Sequence, residues 1–251
     1  TYFTPKPVLL LQGMFLILLL GLALVAVAAG DTLTILGVGV WSLLLVAVYG
    51  MSVFASRNFE GQADWQLEHA PDKEEVQDSV KSPENQTTED RFEGVSTRQL
   101  IVRFIIGTGV ILVAGFILAR VGEAIAEQTA LGSSFVGATL LAAATSLPEL
   151  STTVAAIRLG NYSMAFANIF GSNSIMMLLV FIADVFYRQG PILQQVDSSA
   201  MFAAASGVVI TAVYMIGMLE RRDRTVLRMG VDSAVVLAIY LGSLVILYQL
   251  R

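Results

Sequence analysis

Six stretches of the chain carry no charged side chain: residues 7–30, 32–56, 128–148, 159–183, 198–219 and 233–250. Each reaches the length of about 18 residues at which an apolar run reads as a helix crossing the hydrocarbon core of a bilayer. A seventh stretch, 104–119, is shorter. Arg103 and Arg120 flank it, and such long side chains snorkel to the two interfaces. The composition agrees, with 55% hydrophobic and 14% charged residues and a mean hydropathy of +0.72. A water-soluble fold would have to expose much of that apolar surface. The expected fold class is therefore all-α, a polytopic membrane protein. Seven transmembrane helices are predicted at 7–29, 32–54, 99–119, 134–157, 162–186, 199–219 and 231–249. Barrel strands would be shorter and would alternate in polarity.

Several chemistries are excluded at once. The chain has no cysteine, so it has neither disulfides nor thiolate metal sites. Its one histidine, His69, falls in a polar loop, which rules out a histidine-based site inside the membrane. No phosphate-binding loop is visible, so ATP-driven pumping has no support.

Basic residues set the orientation, because Lys and Arg favour the cytoplasmic side. Of the 15 basic residues, only Arg120, Arg188 and Arg251 fall on the side opposite the N-terminus. The N-terminus and loop 55–98 are thus expected in the cytoplasm, with the C-terminus outside. The compact loops suggest a plasma membrane. Loop 55–98 contains DWQLEHAPDKEEVQDSVKSPENQTTEDRFE, acidic and without apolar periodicity. Its composition favours a disordered linker. A calcium-sensing segment is the alternative, but the ligand spacing and glycine of an EF-hand are missing. The glycosylation patterns at Asn85 and Asn161 fall on the cytoplasmic side and read as chance matches.

The residues with chemistry lie in two adjacent spans. LLAAATSLPEL, residues 140–150, places Glu149 one residue after Pro148 in the middle of a predicted membrane helix. Ionisable residues there are costly and by default functional. Thr145 and Glu149 are four apart and share a helix face. Pro148 lacks an N–H and its ring clashes with the carbonyl of Ala144, which is expected to free that oxygen at the same depth. The product is a group of hard oxygens, the ligand type that suits Na⁺ and Ca²⁺. The next span repeats the theme in AFANIFGSNSIMM, residues 165–177, with Asn168, Ser172 and Asn173. For Thr152 and Ser174 the better reading is interhelical hydrogen bonding. Asp184 and Asp232 lie near span ends and are expected to be interfacial.

TSLPEL at 145–150, AAIRLG at 155–160 and AFANIFGSN at 165–173 together resemble the second alpha-repeat of the sodium/calcium exchanger (cation/calcium antiporter) superfamily. The resemblance implies a partial inverted-repeat cation exchanger fold. Residues 99–251 would be the C-terminal five-helix repeat. Residues 1–54 would be the last two helices of the N-terminal half, and 55–98 the cytosolic linker between halves. It also implies a membrane antiporter exchanging Na⁺ (or H⁺) for Ca²⁺ or a related cation by alternating access, with ions bound at the midplane. Thr145, Ser146 and Glu149 would be ion ligands from one helix, Ser172 and Asn173 from the next. Glu149 would be the main carboxylate. The partners are the bilayer and the transported ions; no resident cofactor and no enzyme activity are expected.

Three departures from the family pattern stand out. Met176 occupies a position where an Asp or Asn is common, four residues after Ser172, and a thioether is a poor ligand for hard cations. Ala144 and Ala167 replace glycines. Spans 7–29 and 32–54 carry no interior carboxylate, so the first repeat is expected to be missing from this chain, which begins at Thr1. The competing readings are a degenerate member that binds ions or a partner without transport, and an intramembrane enzyme using Glu149. The second lacks another catalytic group at the same depth.

Overall fold

The computed structural model describes residues 6–31, 33–60, 96–129, 131–220, 225–226 and 229–250. Most of the acidic segment, with His69 and Asn85, lies outside the described residues, as do Thr1 and the basic run at Arg221 and Arg222. The chain divides into two units, residues 1–64 with 122–251 and residues 65–121.

Helix α1 spans Pro7–Ala29. Pro7 suits its first turn, where a missing N–H breaks no helical bond, and the helix stops at Gly30, whose φ of 69° a residue with a Cβ rarely adopts. Apolar residues surround α1 on every side, so hydrophobicity alone does not choose its inner face. Packing does. Leu9, Gly13, Leu16, Leu19 and Ala26 recur at helical spacing and are buried. A Cβ on Gly13 would press into the Met215 thioether, so the Met215 side chain of helix α8 (Ser198–Glu220) fills the space that the missing side chain leaves. Between helices in lipid such van der Waals fit replaces the hydrophobic driving force.

A tight hairpin follows: β1 (Thr34–Ile35) pairs antiparallel with β2 (Val38–Gly39). Leu36 (φ 54°) and Gly37 (φ 82°) form its turn. Two consecutive positive φ values match the right-handed twist of a two-residue hairpin. Helix α2 then runs Val40–Glu60. The span expected at 32–54 therefore starts eight residues later than its uncharged run implies. Thr34 and Ile35 pair with Gly39 and Val38 before the helix begins.

Helix α3, Thr97–Thr129, is continuous over 33 residues, longer at its C-terminal end than the expected 99–119. Within it the Arg120 guanidinium sits 5.4 Å above the Phe116 ring, a cation–π contact that shields the charge.

The expected span 134–157 is broken. It consists of α4 (Ser133–Val136), a π-helical turn at Gly137–Leu141, α5 (Ala142–Thr145) and α6 (Leu147–Arg158). The chain bends by 49° between the first part, Gly137–Thr145, and α6. Helix α7 is Tyr162–Phe186. A 3₁₀ turn at Ile192–Gln195 leads to α8. A second hairpin, β3 (Thr225–Val226) with β4 (Met229–Gly230), precedes α9 (Val231–Gln249). Among the described residues, six helices are long and apolar enough to cross a membrane, and the bent pair makes seven if it counts as one span. The all-α polytopic architecture stands, with one span broken.

Helix α1 is central to the first unit and packs on α2, α7 and α8; α9 packs on α8, and α6 on α7. One buried cluster joins Leu19, Ala26, Leu45 and Leu193, and a second joins Leu16, Phe170 and Met215.

Candidate cation site

The bend decides what the site looks like. Ser146 leaves helical geometry (φ −88°, ψ 0°), ending α5 and capping α6, and Pro148 follows in the first turn of α6. A proline there has no N–H to return to the carbonyl four residues back, so α5 cannot continue straight through it. Glu149 consequently falls in the first turn of α6, not mid-helix. Backbone N–H groups and the helix dipole favour a negative charge at that end. The π-turn just upstream is a feature often met at functional sites.

Helix α7 returns antiparallel after the turn at Leu159–Asn161. Gly160 takes φ 75°, and the Asn161 side chain accepts from the Met164 N–H at 3.0 Å to cap α7. The Asn of the glycosylation-like pattern thus works as a helix cap. Further along, the Asn168 amide donates to the Glu149 carbonyl (3.2 Å), to Thr152 Oγ1 (2.9 Å) and to Thr153 Oγ1 (3.0 Å). This clamp holds the two polar helices in register.

The five sequence-predicted residues Thr145, Ser146, Glu149, Ser172 and Asn173 line one open cavity of about 480 Å³, and Met176 lines it too. Three of its polar side chains are engaged with the backbone. Thr145 Oγ1 donates to the carbonyl of Leu141 (2.9 Å) or Ala142 (3.1 Å). Ser172 Oγ and Asn173 Nδ2 both donate to the Ile169 carbonyl, at 3.2 and 2.8 Å. With those hydrogens turned to the backbone, Thr145 Oγ1, Ser172 Oγ and the Asn173 amide oxygen keep lone pairs for a ligand. Glu149 Oε2 is buried and has no hydrogen-bond partner. A buried carboxylate oxygen without a donor, beside hydroxyl and amide oxygens with open lone pairs, is chemistry suited to a cation.

Of the two aspartates read as interfacial, Asp184 departs from that reading. Asp184 is 1% exposed and accepts three polar contacts in the fold. Asp232 lies against α8, its Cβ 2.4 Å from where a Gly217 Cβ would stand. Sequence reasoning also passed over Asn168 as a helix clamp and Asp31 altogether. Asn168 had a legible signal, since it is the polar residue of α7 placed to face TT at 152–153. Asp31 had none beyond being a lone charge between two apolar runs.

Comparison with known proteins bears on this geometry. Residues 99–249 match the sodium/calcium exchanger protein family. A protein of Alkalimonas amylolytica named as the antiporter CaxA is 27% identical over 156 residues, covering 61% of this chain and 47% of that protein. The sodium/calcium exchanger MaX1 of Methanosarcina acetivorans is 34% identical over 92 residues, 36% of this chain and 25% of its own length. The matches thus cover half or less of the relatives' length. No solved structure gives a significant match. By the span of the family match, which includes α6, α7 and every residue of the cavity, the chain belongs to the sodium/calcium exchanger family.

Proposed function

We propose that the chain supplies one half of the ion pathway of an antiporter that exchanges Na⁺ or H⁺ for Ca²⁺ or a related cation by alternating access. One observation carries the reading: Glu149, whose Oε2 is buried and without a hydrogen-bond partner, lines one cavity together with the oxygen-bearing side chains Thr145, Ser146, Ser172 and Asn173. Thr145, Ser146 and Glu149 from one side, and Ser172 and Asn173 from the other, are the proposed ligands. Ca²⁺ takes six to eight oxygens, and these five residues reach only the lower bound even if every side-chain oxygen is used. The remaining ligands would come from a first repeat with its own polar helices, as inverted-repeat transporters are built. Loop 55–98 would lie in the cytoplasm and the C-terminus outside, in the plasma membrane, following the distribution of basic residues.

A second reading has a specific observation in its favour. Met176 lines the cavity and is 42% exposed there, in place of an oxygen ligand. A site short of one ligand would bind ions or a partner without carrying them across.

The test is uptake of radiolabelled Ca²⁺ into vesicles containing the full-length protein, under an outward Na⁺ gradient and then a pH gradient. Uptake that follows one gradient and is lost in Glu149→Gln supports exchange and names the counter-ion. No uptake under either gradient, from folded and inserted protein, favours the non-transporting reading.

A further inference from the structure

Two aspartates meet at one end of the helix bundle, outside the Glu149 cavity. Asp31 follows Gly30, the cap of α1, and Asp184 lies near the C-terminus of α7. They are 0% and 1% exposed. Gly39 gauges their separation. The point where its Cβ would stand is 2.0 Å from Asp31 Oδ2 and 3.2 Å from Asp184 Oδ2. The missing side chain of Gly39 leaves the space in which the carboxyl groups face each other.

The fold treats the two unequally. Asp184 Oδ2 accepts from the Gly39 N–H at 2.7 Å, and Oδ1 from the Ile192 N–H at 2.7 Å. These bonds fasten α7 to the hairpin and to the 3₁₀ turn. Neither side-chain oxygen of Asp31 has a hydrogen bond of ordinary geometry. Its backbone carbonyl is tied to the Gln194 side chain, so the residue is held in place while its carboxyl is left unpartnered. Burial pushes the Asp31 carboxyl above the usual carboxylate range, the Asp184 charge pushes it further, and the Trp41 backbone N–H opposes weakly.

Ser42 supplies an independent clue. Its hydroxyl has one hydrogen but two oxygen neighbours, the Gly39 carbonyl at 2.8 Å and Asp184 Oδ2 at 2.5 Å. A single hydrogen cannot serve both fully. The contact with Asp184 is the closer one, and 2.5 Å is the range of a hydroxyl donating to a carboxylate, so Asp184 Oδ2 accepts from Ser42 as well as from the Gly39 N–H and the proton of the pair is left to Asp31. Two neighbouring carboxyl groups in a buried site do not both ionise; they keep one proton.

We propose that Asp31, pressed against Asp184, is a proton-binding site whose carboxyl carries the proton, separate from the cation cavity at Glu149. A metal cation is the rival occupant. Ca²⁺ and Na⁺ require several oxygens, yet both Asp184 oxygens are already engaged, and among the described residues no group of three or more His, Cys, Asp or Glu could hold a metal. Facing the pair are the Gly39, Trp41 and Ile192 amides, Ser42 and Gln194, none of which titrates in the accessible range. The nearest titratable side chains in sequence on the surrounding elements are Tyr49, Tyr187, Arg188 and Asp197, with Lys6 at the far end of α1.

The sign of the pH effect follows. A raised folded-state pKa means that the folded protein binds the proton more tightly than the unfolded chain. The stabilisation is complete below the ordinary carboxylate pKa and is lost as pH rises through the raised value. Once the proton leaves, two buried like charges push the end of α1 away from the corner made by α2 and α7. Acid therefore locks this end of the bundle and alkali loosens it.

The test is thermal unfolding of the purified full-length protein in detergent against pH, for wild type and Asp31→Asn, with infrared spectra of the protonated-carboxyl C=O stretch. The melting temperature of wild type should fall as pH rises above the ordinary carboxylate range. Asp31→Asn carries its own hydrogen, so it should lose that fall and equal or exceed wild type on the alkaline side. A carboxyl band that titrates away in wild type should be missing in the variant. Equal pH dependence in the two proteins, or no titrating band in wild type, overturns the proposal. So does a melting temperature that rises with added Na⁺ or Ca²⁺ in wild type only, which would put a metal cation in the site. Should Asp31→Asn fail to fold, Ser42→Ala decides: it keeps both carboxyls, removes a donor from Asp184 and must shift the titration of the band, and an unmoved titration overturns the pairing of Asp31 with Asp184. None of these readouts depends on transport.

Discussion

The Asn168 side chain on α7 donates to the backbone carbonyl of Glu149 on α6 at 3.2 Å, so the position of the proposed ion ligand is set by a residue that is not among the proposed ligands. The same amide reaches Thr152 and Thr153. Interhelical hydrogen bonds in membranes contribute modestly, about 0.6 kcal/mol on average. Asn168→Ala removes several contacts at once and should lower stability by about 1 kcal/mol. Denaturant unfolding in detergent measures it. Ca²⁺ uptake should weaken in apparent affinity, because Glu149 loses its anchor. Unchanged unfolding and uptake would show the clamp to be dispensable.

Glu149→Gln keeps shape and removes charge. It should insert normally and lose Ca²⁺-dependent exchange by tenfold or more, equivalent to about 1.4 kcal/mol. Glu149→Asp retains the carboxylate on a shorter stem and should recover part of the activity. Undiminished exchange in the Gln variant would remove Glu149 from the ligand set.

Met176→Asp places a carboxylate on the cavity wall beside Ser172 and Asn173. The expected outcome is a change in ion stoichiometry or in the pH dependence of uptake, read from reversal potentials in vesicles. Identical ion dependence in the two proteins would mean that position 176 does not reach the bound ion.

Gly13→Ala pushes a methyl into the Met215 thioether, which is flexible enough to give way. A mild loss of melting temperature is expected. Gly13→Leu cannot be absorbed that way and should cost about 1–3 kcal/mol. Equal melting temperatures for the Leu variant and wild type would show that α1 and α8 do not pack this tightly in the membrane.

What could be read before folding, and what could not, divides along physical lines. Uncharged runs marked where the long helices lie because lipid tolerates few charges, and Pro148 marked a disturbance because proline lacks an N–H. The extent of that disturbance was not legible. A full bend at Ser146, preceded by a π-turn, depends on how α6 and α7 pack. The hairpin at 34–39 was hidden inside an uncharged run, since hydropathy does not distinguish paired extended backbone from helix. Asp184 read as interfacial because its partners Gly39 and Ser42 are remote in sequence, and only the fold brings α2 to it. The gathering of Thr145, Glu149, Ser172 and Asn173 was legible because the two spans are joined by a short turn, which leaves them little choice but to lie side by side.

The break before Leu147 also bears on how firmly a cation can be held. In the first turn of α6, Glu149 already feels the attraction of the helix's amino end. An arriving cation therefore does not meet a naked charge; it competes with the peptide dipoles for the same electrons. A straight helix would have denied the carboxylate that company and made the grip stronger. A calcium buffer gains from such strength. A carrier does not, because cargo must be released on the far side as readily as it is picked up.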